Sequence, residues 1–141
     1  MAGLRAVLDT NVLLAAKRSN HPTSPNGEIL DRWQAGETVL LYSMDTLTEY
    51  SEKLLEHGVS PAVVEALLRQ FAQLGEVVPI VFFHFRHYPV DADDVMFLLC
   101  ALNGSASHLV SYDAHLLLLR TYYETEVCIC EPLEFLRSCR K

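Results

Sequence analysis

Positive charge is scarce in this chain. Eleven Lys and Arg face 18 Asp and Glu, for a formal net charge of −7. A broad phosphate-gripping surface needs clustered cations, so the charge balance argues against that mode of nucleic-acid binding. It does not argue against a small acidic site acting on nucleic acid through bound cations. Long apolar runs are missing too. The longest after the N-terminal region, "VMFLLCAL" (Val95 to Leu102), falls well short of the ~20 residues that cross a bilayer, so no membrane association is expected. Asp9 and Asn11 interrupt the N-terminal run and no basic stretch precedes it, so a signal peptide is not expected and a cytoplasmic protein is. The four cysteines, Cys100, Cys128, Cys130 and Cys139, lack zinc-ligand Cys-x-x-Cys spacing and read as buried, reduced thiols. Repeats, low-complexity tracts and breaks in composition are also missing. With 141 residues, half of them hydrophobic, residues 1–141 read as one domain with a true core.

What is present is an alternation of strand-like and helix-like segments. "LRAVLD" reads as a strand, followed by a helix from Val12 to about Lys17 and a turn-rich loop, "RSNHPTSPNG". "GEILDRWQAGE" reads as a helix closed by Gly36, and "TVLLYS" as a buried strand. In "MDTLTEYSEKLLEHG", Leu47, Tyr50, Leu54 and Leu55 recur at helical spacing and Gly58 marks the stop. "SPAVVEALLRQFAQLGE" has Ser60 to cap it, Pro61 in its first turn and a stripe of Val63, Val64, Leu67, Leu68, Phe71 and Leu74. "VVPIVFFHF" is β-prone, with Pro79 confining it to an edge. The helix of "DADDVMFLLCALNG", the strand "HLVSYD", the helix "AHLLLLRTYYE", the strand "EVCIC" and a helix from Pro132 complete the series. Such alternation predicts an α/β fold: a mostly parallel central sheet flanked by helices on both faces.

In such a sheet, ligands sit beyond the carboxyl ends of the strands. Two strand-like runs end in an acid, Asp9 and Asp113, and would deliver both carboxylates to one edge. "VDADD" adds Asp91, Asp93 and Asp94 at the start of a helix expected at the same edge. Each acid alone has an ordinary explanation as a turn, an N-cap or a first-turn partner of the helix dipole. Together they require a coincidence. Carboxylates gathered away from water cost several kcal/mol unless protons or cations relieve them, and hard divalent cations are the usual relief. Cations so held support phosphodiester chemistry. Glu49 does not follow from this logic. At ~100° per residue it falls opposite the Leu47–Tyr50–Leu54 side, with Lys53 four residues on, which reads as a solvated helix pair.

"VLDTNVLL", "YSMDTLTEYSEKLL", "DADDVMFLLCALNGSASHLVSYDAHLL" and "EPLEFL", in that order and spacing, resemble the PIN domain. The likeness is closest to the bacterial toxins of toxin–antitoxin pairs and runs from about Arg5 to Leu136. It implies a parallel-sheet nuclease fold and a Mg²⁺- or Mn²⁺-dependent ribonuclease. Carried over residue by residue, the family's acids fall on Asp9, Glu49, Asp94 and Asp113. Asn11 is the companion of the first, and Ser111 is the small hydroxyl before the last. On this likeness Asp9, Asp94 and Asp113 hold the metal and Glu49 assists directly or through water, which reverses the solvated reading of Glu49. The implied reaction is in-line attack of water on phosphorus, leaving a 5′-phosphate and a 3′-hydroxyl. Many family members carry a further acid two residues past the fourth; here that position is His115. Asp91 and Asp93 either compensate or line the rim. The likeness also implies an RNA substrate, an antitoxin protein partner and a homodimer.

Other features carry less. "FFHFRHY" could stack bases through its aromatics beside His84, Arg86 and His87, or could simply place alternate residues in the core. Lys17 and Arg18 could reach substrate phosphates from the loop. An aspartyl phosphatase also begins with a strand ending in Asp, but needs a second Asp where this chain has Asn11. The remaining alternative is a PIN-like module that binds a partner and has little nuclease activity.

Overall fold

Short β-branched and leucine-rich runs, each followed by a helix, assemble into one five-stranded sheet. The computed structural model describes residues 3–18, 21 and 23–141. Its strands are β1 (Leu4–Leu8), β2 (Thr38–Tyr42), β3 (Glu76–Val77), β4 (His108–Val110) and β5 (Cys128–Cys130). They lie in the order β3-β2-β1-β4-β5, and every pairing is parallel. The helices are α1 (Thr10–Arg18), α2 (Pro25–Gln34), α3 (Met44–Glu56), α4 (Pro61–Leu74), α5 (Val95–Asn103), α6 (Ala114–Leu117) and α7 (Pro132–Cys139). Successive strand residues point to opposite faces. In β1 Ala6, Val7 and Leu8 are all buried, as are Leu40 and Leu41 in β2, so helices cover both faces.

This strand order decides where a site can form. From β1 the chain winds outward through β2 and β3, then returns to the other side of β1 for β4 and β5. The winding reverses between β1 and β4, and the carboxyl ends of those two strands open the crevice in which doubly wound sheets bind ligands. Residues 9 and 111–113 come directly after those ends.

The helix boundaries follow from the capping residues. Ser43 and Thr46 form a reciprocal capping box at the start of α3. Ser60 caps α4 with Pro61 behind it, and Ser24 caps α2 with Pro25 behind it, so α2 begins inside the expected loop. That loop otherwise falls partly outside the described residues. Gly36 and Gly58 take φ of +80° and +87° just past α2 and α3, a conformation glycine adopts without steric cost. All four cysteines are free thiols, two of them fully buried.

Three expectations need correction. The β-prone run 77–85 gives only the two-residue β3. Pro79 lacks the ladder N–H, and the Asn103 side chain replaces the ladder beyond it. Its Oδ1 accepts from the amides of Val81 (2.8 Å) and Phe82 (3.1 Å), and its Nδ2 donates to Phe82 O. The segment expected as one helix after Asp113 splits into α6 and a 3₁₀ turn at Arg120–Tyr123. On α4 the buried stripe narrows to Val64, Leu67 and Phe71, while Val63 and Leu74 are exposed.

Candidate metal centre

Asp9 closes β1 and is buried at the head of α1. Its Oδ1 accepts from the Thr10 amide at 2.7 Å and its Oδ2 from the Ser111 hydroxyl at 2.6 Å. Ser111, itself fully buried, also accepts from the Asp113 amide at 2.8 Å. One hydroxyl therefore ties the end of β1 to the turn that carries Asp113. Asn11 Oδ1 reaches the Tyr112 amide at 3.4 Å and adds a weaker strap across the same gap. Asp113 caps α6, with Oδ1 accepting from the His115 amide at 2.8 Å. The cap role expected for it is real, and it leaves the second carboxylate oxygen uncommitted by that bond.

Asp94 sits at the junction of a 3₁₀ turn (Ala92–Asp94) and α5, only 4% exposed. Its Oδ2 is buried without any hydrogen-bond partner among the described residues. Burial, followed by the charges of Asp113 and Asp9, pushes its carboxyl from the ordinary 3.8 up to about 8. Asp9 is also raised, chiefly by burial, with the Ser111 and Thr10 hydrogen bonds acting against it. Glu49, half-buried on α3, is raised by burial and by the charges of Asp93, Glu52 and Asp9, against the pull of Lys53.

These residues share one cleft of about 230 Å³, walled by Asp9, Asn11, Glu49, Asp93, Asp94 and Asp113. Its floor and rim include Thr10, Leu14 and Phe97, with Lys53 and His57 on the α3 side. Glu49 therefore does not lie opposite the buried face of α3. The residues that α3 buries are Thr46, Tyr50 and Leu54 rather than Leu47, which turns Glu49 to the flank of the stripe and into the cleft. Asp91 stays outside: it is exposed and its side chain caps the 3₁₀ turn through the Asp93 amide at 2.9 Å. Beyond the lining residues, the His115 ring approaches from α6. One oxygen of Asp94, one of Asp113 and one ring nitrogen of His115 all lie within 4.8 Å of one another.

Sequence reasoning missed Lys53 and His57 as cleft residues. The signal was available, because they follow Glu49 at four and eight residues and so share its face of a helix. Arg18 is less free than expected: as the last residue of α1 it donates to the His57 carbonyl at 2.7 Å. A second, more apolar cleft of about 320 Å³ lies along Phe82, Phe85 and Tyr123. Its Arg86 is paired with Glu126 at 2.8 Å, and His87 stacks on Tyr122 at 3.9 Å between ring centres.

A buried carboxylate oxygen with no donor is costly unless a proton or a cation takes it. Several hard oxygen donors converging on it suit a divalent ion of the Mg²⁺ or Mn²⁺ kind. The residues present thus fit a divalent cation. The model of the PIN domain matches residues 5–115. This chain belongs to the PIN domain family. A comparison with curated proteins finds no match. PIN domains are in general metal-dependent nucleases that act on RNA, and the acidic cleft of this one lies where the sheet's winding reverses. Among the described residues no helix is long and apolar enough to cross a membrane.

Proposed function

We propose that this PIN domain is a divalent-metal-dependent endoribonuclease, the toxin of a bacterial toxin–antitoxin pair. The observation that carries the nuclease reading is that Asp94, whose buried Oδ2 is orphaned, lines one cleft with Asp9, Glu49 and Asp113. In this reading Asp9, Asp94 and Asp113 hold Mg²⁺ or Mn²⁺, and Glu49 assists from α3. The bound cation supplies neutralisation of phosphate charge and activation of water. Ser111 ties the Asp9 carboxylate to the backbone of Asp113, and the His115 amide holds the Asp113 carboxylate, so both acids are oriented before substrate arrives. Asn11 lines the same cleft as a neutral neighbour, and Asp93 adds an exposed acid to its wall. Asp91 serves the fold of the 3₁₀ turn. Lys53, paired with Glu56 at 3.2 Å, lines the α3 side of the cleft and in this reading exchanges that partner for an RNA phosphate next to the scissile one.

The antitoxin and the homodimer belong to the same reading and rest on the resemblance to toxin-type PIN domains; a cytoplasmic location is proposed alongside them. Residues 1–141 are proposed as a single domain. The family match ends at 115, yet β5 extends the same sheet and Phe135 and Leu136 of α7 lie in the same core.

The test is cleavage of a mixed pool of single-stranded RNA with Mn²⁺ or Mg²⁺. The expected result is fragments bearing 5′-phosphates, abolished by EDTA and by Asp9→Asn or Asp94→Asn. A fully active Asp9→Asn enzyme removes that acid from the mechanism. A wild-type protein that binds the ion and cleaves no RNA moves the chain to a partner-binding role.

A further inference from the structure

His115 adds an imidazole to the carboxylates of Asp94 and Asp113, and that changes the donor set. His115 stands on α6 with its ring at the mouth of the cleft. Its backbone N–H holds Asp113 Oδ1 at 2.8 Å, so the two residues are locked in one turn. Its Nδ1 lies 3.8 Å from the same oxygen, too far for a hydrogen bond. One ring nitrogen falls within 4.8 Å of ligand oxygens on both Asp94 and Asp113. Donors bound about 2.0–2.2 Å from one ion lie at most roughly 4.4 Å apart, so a small rotation of an exposed imidazole closes the set. Independently of His115, Asp94 lines this cleft with its Oδ2 buried and without a partner.

We infer that His115 is itself a ligand, completing a two-carboxylate, one-imidazole site with Asp94 and Asp113 that selects a transition-metal ion over Mg²⁺. Imidazole suits ions such as Zn²⁺, Fe²⁺ and Ni²⁺, and Mn²⁺, the weakest binder of that series, still accepts nitrogen more readily than Mg²⁺, which takes oxygen donors and gives up its water reluctantly. The inference rests on the nuclease reading for the site's purpose, but its evidence is metal binding alone.

The experiment is Mn²⁺ titration of the whole protein followed by electron paramagnetic resonance, with pulsed detection of directly bound nitrogen. Mg²⁺ affinity is read by competition. Wild type is expected to show a ¹⁴N coupling on bound Mn²⁺ that is lost in His115→Gln. That variant should lose at least the ~10–100-fold in Mn²⁺ affinity that loss of an outer-shell partner costs, with Mg²⁺ affinity unchanged. His115→Asp, which restores an oxygen donor, should retain the ion without the nitrogen signal and lower the Mn²⁺-to-Mg²⁺ preference. His115 is exposed, so both variants are expected to fold. Wild type that binds Mn²⁺ without nitrogen coupling overturns the inference and leaves the nuclease reading standing. A coupling that persists in His115→Gln points to another imidazole, such as His57, and overturns it too. Wild type with no Mn²⁺ affinity removes both.

Discussion

Asp94→Asn should make the metal-free protein more stable. An acid whose folded value of about 8 lies above its unfolded 3.8 keeps its proton in the folded state after the unfolded chain has lost it. Stability therefore falls as pH rises between those values, and the penalty is complete above the higher one. At ~1.36 kcal/mol for each pH unit, the cost at pH 7.5 has an upper bound of about 5 kcal/mol. The cleft is open to water, and screening there reduces the expected gain from asparagine to about 2 kcal/mol. For a chain of this size that is a rise of about 6 °C in the unfolding midpoint. Asp9 and Glu49 are raised as well, but they are common to both proteins and largely cancel in the difference. The assay is thermal unfolding in EDTA at pH 7.5 and again at pH 4, where the gap should nearly close because that pH lies close to the unfolded 3.8 and little of the penalty has built up. Adding Mn²⁺ at ~100 times its dissociation constant should then return about 2.7 kcal/mol to the wild type alone. An Asp94→Asn protein less stable than wild type in EDTA, or a gap that survives at pH 4, would refute the picture of Asp94 as a stranded carboxylate.

Other perturbations separate the site from its scaffold. Ser111→Ala strips Asp9 Oδ2 of its buried donor and should cost about 1–3 kcal/mol in urea unfolding, with a greater loss at neutral pH than at pH 4 because the hydrogen bond favours the charged form of Asp9. Tyr50→Phe removes a 2.5 Å hydrogen bond to the Leu8 carbonyl beneath the site, and should cost about 1 kcal/mol in the same assay with Mn²⁺ affinity intact. Gly75→Ala places a methyl 2.7 Å from the Phe71 carbonyl and 3.0 Å from the Tyr42 ring, so overpacking should destabilise by about 1–3 kcal/mol. Gly36→Ala meets no atom within 4 Å, so only its φ of +80° opposes it and the loss should be about 1 kcal/mol.

The residues legible in the sequence are those whose position follows from a strand end. Counting alternating elements puts Asp9 and Asp113 at one edge, and the winding of the sheet brings that edge together around β1 and β4. Glu49 is not legible, and the reason is a single threonine. Thr46 reads as polar, so periodicity centres the apolar face of α3 between Tyr50 and Leu47. In the structure Thr46 is fully buried, because the capping box gives its hydroxyl a partner in Ser43 and removes the cost of taking it from water. Exchanging Leu47 for Thr46 rotates the buried face by roughly 30° and brings Glu49 from the far side to its flank. The length of β3 is over-read for a related reason. A side chain, Asn103, replaces the backbone ladder, and no local pattern in residues 77–85 encodes a partner 21 or 22 residues away. In both cases the period of the sequence is sound and a polar side chain, satisfied at short range in one case and long range in the other, takes the place assumed for an apolar or backbone group. Capping positions and amide side chains that follow β-prone runs are thus where a reading of this fold by periodicity should be loosened first.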